Sequence, residues 1–221
     1  MALRIECADG RERERAIASA KAAVRRGDLV LIPTETVYAI ATDAFSERGI
    51  AAMRKAKGYD SGVPLPVMVG TRSTVGGIAT GVSADARALM DAFWPGPLTV
   101  MLNPQPTLAW GLPTDAPLSV RIPLHPVALA LLNATGPLVV TTANVQGIPA
   151  PTVVEDALSQ LGYQVSVALD AGDLTDEDSL PSTVIDLTGD VPRVVRVGAL
   201  AVSELERICA VAVPDGLLPG A

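Results

Sequence analysis

The residues able to do chemistry in this sequence are cations, hydroxyls and an amide, and they gather where apolar runs stop. Pro33 closes "LVLIP" and is followed at once by Thr34, Glu35, Thr36 and Tyr38, which sets hydroxyls and a carboxylate on a loop carried by a rigid strand. Arg121 lies inside "LSVRIP", and a guanidinium buried in a strand needs an anionic partner. "VVTTANVQG" opens from a very apolar strand into Thr141, Thr142, Asn144 and Gly147; in an open α/β sheet, such strand ends line the ligand crevice. Ser182 and Thr183 in "PSTVID" repeat the scheme, and "VVRVG" adds Arg196. Lys55 and Lys57 end a helical pattern, where the helix dipole already favours cations, so capping alone would account for both. Capped turns and paired surface charges would account for most of the others singly. Together they form an inventory for holding an anionic ligand and stabilising charge, as phosphoryl or nucleotidyl transfer requires.

Other chemistries are disfavoured. His125 is the one histidine; it stands at the front of the apolar pattern "HPVALALL", where local packing or hydrogen bonding at a helix start is its expected role. No G-x-S-x-G elbow accompanies it, which argues against a Ser-His-Asp hydrolase. Walker-type and G-x-G-x-x-G phosphate loops are absent from the sequence. Cys7 and Cys209 stand far apart, without the spacing of a zinc site or a disulfide framework. The net charge of −7 and the pI near 4.7 argue against direct, non-specific binding of nucleic acid or an anionic membrane. With no signal core and no long apolar run, a cytoplasmic location is expected.

Positioning these residues requires alternating helices and strands. Amphipathic helices are predicted over 11–28, 46–58, 83–93, 125–136 and 153–162, with Ser46 as N-cap and Gly58 as the stop of the second. Strands are predicted at "LVLIP", "LTVML", "PLSVRIP", "PLVVTT" and "VSVALD", with "PLPVMVG" a short apolar run. "STVIDLTGD" and "PRVVRVG" read as a hairpin, and "AVSELERICAVAV" as a closing helix. The expectation is one α/β domain over 1–221, with a core of about 11–200 and a tail of 201–221. Its sheet should be mixed, because the hairpin connection is too short for a helical crossover.

The ordered motifs "PTETVY", "AKG" followed by "PL", "FWPGPLTVML", "VRIPLHPVA", "TTANVQG", "STVIDL" and "RVVRVGAL" resemble those of the YrdC-type threonylcarbamoyl-AMP synthases, in their short single-domain form. The resemblance implies a twisted mixed sheet flanked by helices, with a large, concave, positively lined cavity. It implies the substrates ATP, L-threonine and bicarbonate or CO2, Mg2+ carried on the phosphates, and downstream transferase proteins that modify tRNA. Strong direct nucleic-acid binding is not expected. Carried over by position, Thr34, Thr36 and Arg121 would hold threonine. Lys57, Tyr59, Ser61, Thr142, Asn144, Ser182 and Arg196 would contact ATP, with Lys57, Thr142 and Arg196 catalytic. No metal-ligating side chain is implied.

The sequence departs from the family pattern at four places. Lys57-Gly58-Tyr59 replaces K-x-R, so the second cation of that loop is missing. Ala39 and Ala41 stand where glycines are favoured, so a methyl would narrow the cavity or restrict the backbone. Met68 stands where many members carry a histidine, and Thr142 where they carry a serine. Two alternatives to the family's usual reaction remain open on sequence. One is a paralogue adenylating the carbamate of another amino acid or serving another acceptor; the other is a non-catalytic nucleotide- or RNA-binding module.

Overall fold

The computed structural model describes residues 2–7, 10–176, 180–214 and 216–217. In chain order the elements are β1 (Leu3–Glu6), α1 (Gly10–Arg25), β2 (Leu29–Pro33), β3 (Tyr38–Asp43), α2 (Glu47–Lys57) and β4 (Val67–Met68). After a single turn come α3 (Val75–Ile78), β5 (Ala79–Thr80), α4 (Ala84–Phe93), β6 (Leu98–Pro104), β7 (Leu118–Arg121) and α5 (Pro126–Thr135). The remainder is β8 (Leu138–Thr142), α6 (Val154–Leu161), β9 (Val165–Asp170), β10 (Thr183–Asp186), β11 (Arg193–Arg196) and α7 (Val202–Glu206).

The strands form one mixed sheet in the order β1-β9-β2-β3-β8-β4-β7-β6-β10-β11, with β5 added to β6. The predicted hairpin is β10–β11, and β2 and β3 form a second one that the sequence reading left unassigned. Local signals stop the helices where the sequence predicts. Ser46 caps α2 by accepting from Gly49 N, and Gly58 ends it in the left-handed conformation at φ 65°. His125 caps α5, accepting from Val127 N, which is the local role expected of it. The closing helix is much shorter than predicted. It spans Val202–Glu206 only, and Ala212 then bridges to Arg193, so the β-branched stretch 211–213 adds to the free edge of β11 instead of continuing the helix.

Two apolar clusters sandwich part of the sheet. One face, with Ile40, Val67, Val100, Val120 and Val139, packs under α2, α4 and α6. The opposite face, with Ile32, Ala39, Ala41 and Val140, packs under α1 and α5. That second cover stops at β8. From β7 through β11, Ser119, Arg121, Thr99, Val184 and Arg196 stand in register on the face that no helix covers, and Met68 of β4 packs at the edge of the second cluster.

Candidate functional site

A pocket of 360 Å³ opens on this uncovered face. Its first wall is the loop between β2 and β3. Pro33 pairs with Tyr38, leaving residues 34–37 as the connection. Thr34 closes it by donating from N and Oγ1 to Val37 O, at 3.1 and 2.6 Å. Thr34 and Thr36 both line the pocket. Beneath them the Tyr38 hydroxyl donates to Gly172 O at 2.8 Å and accepts from Ala171 N at 2.9 Å, tying this wall to the loop after β9. Burial pushes the phenol up to about 12, so it stays neutral.

The floor holds Ser119 and Arg121 of β7. Arg121 Nε donates to Gly96 O at 2.9 Å, and Nη2 forms an ion pair with Glu35, whose other oxygen accepts from Leu124 N at 3.3 Å. Burial, aided by the positive charge of Arg196, pushes the guanidinium down to about 10, which still leaves it a cation at neutral pH.

Arg196 forms the far wall. Its Nε and Nη2 donate to Ser182 O at 3.1 and 2.8 Å, and Nη2 also reaches Ser182 Oγ at 3.2 Å. Ser182 Oγ shares a 2.8 Å hydrogen bond with Thr99 Oγ1. Among the described residues no carboxylate pairs with Arg196. The pocket therefore presents one arginine with a counter-charge and one without.

Lys57 approaches from the other face. Lys57 is 1% exposed, and its ammonium does not cap its own helix. It donates to Thr142 O at 2.7 Å, to Asn144 Oδ1 at 2.9 Å and to Asn144 O. All three N–H groups are thus spent on the end of β8 and the loop that follows. Burial pushes the amine down to about 8. The Tyr59 ring lies 5.6 Å from the ammonium, a cation–π contact in the place where the family pattern has an arginine.

The structure thus gathers Thr34, Thr36, Arg121, Thr142, Ser182 and Arg196 around one pocket, with Lys57 and Asn144 behind Thr142. Ser61 is not brought there. Arg54 Nη1 binds Asp60 O and Val63 O at 2.6 and 2.8 Å, folding that loop against α2 and leaving Ser61 beside Trp110 in a separate depression. Arg54 is spent on this turn. Arg72 pairs with Asp91 at 3.0 Å, and Lys55 is exposed, so none of these cations lines the pocket in place of the missing arginine. Ala39 and Met68 do line it. Neither alanine has a positive φ, and both sit in regular pairing, so the methyls leave the backbone unrestricted. Sequence reading missed Glu35 as the partner of Arg121, and missed Thr99 and Ser119. The signal available was the alternation in "LTVML" and "LSVR", which puts these hydroxyls on the same face as the arginine.

Residues 22–198 match the Sua5/YciO/YrdC family, whose description reads telomere recombination. The chain belongs to this family. A Mycobacterium tuberculosis (strain H37Rv) protein, named provisionally as a threonylcarbamoyl-AMP synthase, is 42% identical over 207 residues, covering 93% of this chain and 94% of its own. The threonylcarbamoyl-AMP synthase of Pyrococcus abyssi is 32% identical over 190 residues, covering 84% of this chain and 54% of its own. The structure of P. abyssi Sua5 complexed with L-threonine superposes with a TM-score of 0.85 at 28% identity, covering 97% of this chain and 62% of that one. Escherichia coli YciO gives 0.79 at 26% identity, covering 93% and 98%. The twisted mixed sheet flanked by helices is the architecture these relatives share. Members of the Sua5/YciO/YrdC family named as synthases thus match this chain over most of its length, which does not favour either alternative left open on sequence.

Proposed function

We propose that this chain is an L-threonylcarbamoyladenylate synthase, a nucleotidyltransferase that makes threonylcarbamoyl-AMP and pyrophosphate from L-threonine, bicarbonate or CO2, and ATP. The observation that carries the reading is the division of the pocket. Arg121 and Arg196 stand at two ends of one polar face, with the threonine hydroxyls of the β2–β3 loop beside the first and Ser182 beside the second. At the first end Thr34, Thr36 and Arg121 hold threonine. At the second, Arg196 and Ser182 hold phosphate oxygens. The carbamate oxygen of N-carboxythreonine attacks the α-phosphorus, the bond to the β-phosphate oxygen breaks, and pyrophosphate leaves.

Charge developing on the phosphates is met by Arg196 and by donors fixed before the reaction begins. Lys57 acts from behind, holding Thr142 and Asn144 in place. Among the described residues no three acidic, histidine or cysteine side chains cluster as a metal site. Hydroxyls and guanidinium groups hold phosphate oxygens rather than a metal, so magnesium would arrive on ATP as part of the substrate. Downstream transferases would pass the threonylcarbamoyl group to tRNA. Among the described residues no helix is long and apolar enough to cross a membrane, and a cytoplasmic place of work agrees with the substrates.

The test is mass spectrometry of purified protein with ATP, magnesium and bicarbonate, offering L-threonine beside a panel of other amino acids. Threonylcarbamoyl-AMP and pyrophosphate in equal amounts are expected from threonine. Product from another amino acid alone, or ATP binding without any product, would overturn the reading.

A further inference from the structure

Thr183 follows Ser182 at the start of β10, yet it does not line the pocket. The residue is fully buried, and its hydroxyl spends its one hydrogen and both lone pairs on a single segment. Oγ1 donates to Leu200 O at 2.7 Å and accepts from Gly198 N and Leu200 N at 2.9 and 3.0 Å. Ala199 N adds a 2.9 Å bond to Pro181 O. Gly198 makes this close seat possible: a Cβ there would stand 2.7 Å from Thr183 N and closer still to Pro181 O, so no side chain fits. Residues 198–200 are thereby clasped onto residues 181–183, and Thr183 N ties the clasp to Pro97 O, just before β6, at 2.9 Å.

What the clasp holds is the exit of β11, directly beyond Arg196. The pairing of β10 with β11 slips there: Ile185 faces Val194 but Val184 faces Arg196, so Val195 is an extra residue on β11, a β-bulge. Val194 belongs to the buried apolar cluster, and in an unbroken strand Arg196 would point the same way. The bulge instead sets Arg196 beside Val184 on the pocket face. Sliding the chain after Val194 by one residue would restore regular pairing and turn the guanidinium out of the pocket. The clasp at Gly198 blocks that slide.

Resting on the synthase reading, we propose that Thr183 is a positioning residue for the phosphate end of the pocket: through the clasp on residues 198–200, its hydroxyl holds the bulge that aims Arg196. It touches no substrate and acts only through the guanidinium.

The first test is pyrophosphate release by the full chain with threonine, bicarbonate and magnesium-ATP. Thr183→Val keeps the side-chain shape and removes the hydroxyl. It should lower kcat by about 10- to 100-fold, the scale of misplacing a catalytic group by roughly an ångström, with the threonine KM unchanged. Thr183→Ser returns the hydroxyl and should restore kcat. In an Arg196→Gln background nothing is left to aim, so Thr183→Val should cost no further activity. No fall in the wild-type background, or an equal fall in both, would overturn the proposal by making Thr183 merely structural. Thr183→Cys, of similar size but a weaker acceptor, carries the same comparison with a smaller fall if the valine variant does not fold. The second test needs no turnover. Hydrogen exchange of the Arg196 Nε–H, followed by 15N NMR and assigned by its loss in Arg196→Gln, should quicken about 10-fold in Thr183→Val, the worth of about one hydrogen bond, and slow again in Thr183→Ser. Unchanged exchange would overturn the proposal. Faster exchange in a protein that makes no threonylcarbamoyl-AMP would leave the clasp standing and remove the synthase reading instead.

Discussion

The two halves of the sheet obey different rules. In β2 and β3 almost every residue is buried, because helices cover both faces, and β2 reads as an unbroken apolar run. In β7 and β10 burial alternates with a period of two, because one face is bare. The closed half supplies stability and the open half supplies the ligand surface. A polar residue in the closed half needs an explanation, while one in the open half is where function is to be sought.

The largest effect expected from this division is at Arg196. Replacing it by Gln should lower turnover by about 100- to 1000-fold, the scale of losing one preorganised donor to a developing charge. The melting temperature should hardly move, since the side chain is half-buried on the bare face. Steady-state pyrophosphate release and thermal melts measured together check it. Loss of folding would break the comparison.

The mirror experiment is in the closed half. Ile40 is fully buried between β2 and β8, and Ile40→Ala should cost about 2–5 kcal/mol in urea unfolding through lost burial and a residual cavity. Threonine and ATP affinities, measured where the variant is still folded, should be unchanged. A weakened ligand affinity would mean that the two halves are coupled through β8.

Lys57 sits at the seam and should respond to pH in two opposite ways. Burial lowers its pKa from 10.5 to about 8, while an unfolded lysine keeps the ordinary value. Between those values the unfolded chain binds the extra proton, so the folded state gains stability from this group as pH rises through that window. Turnover should instead fall above about pH 8, because the neutral amine no longer satisfies the three oxygens of Thr142 and Asn144. Lys57→Met should flatten both slopes. Parallel curves of activity and unfolding free energy from pH 7 to 10 decide it; slopes of the same sign would remove Lys57 from its role.

Much of this was legible in the sequence, for physical reasons that also explain the misses. Helices with a strong cap and stop, such as α2 between Ser46 and Gly58, could be read because the signals are local. β3 was missed because "YAIATD" carries alanines of low strand propensity and follows a loop of four residues. β1, four residues of alternating polarity near the chain start, gives too short a pattern to read. The cations of the site were legible because charges interrupt apolar runs. Their partners were not. That Arg121 meets Glu35, and that Lys57 reaches the end of β8, are facts of tertiary contact between segments about 86 and 85 residues apart, which no local pattern encodes. That Ser61 lies apart from the pocket is a tertiary fact of the same kind, since Arg54 holds its loop against α2.

The smallest effect expected is at Ala39, where the two halves meet at the pocket edge. It is almost fully buried, pairs with Ile32 and Thr142 in regular strand geometry, and turns its methyl toward the pocket. Ala39→Gly restores the residue of the family pattern but relieves no strain, because the backbone is already ordinary. The loss of strand entropy should cost about 0.5–1 kcal/mol of stability. The threonine KM should shift by less than about 4-fold, the worth of a single methyl group. A much larger rise in turnover would show that the methyl crowds the substrate, and that the closed half, not only the open one, limits the reaction.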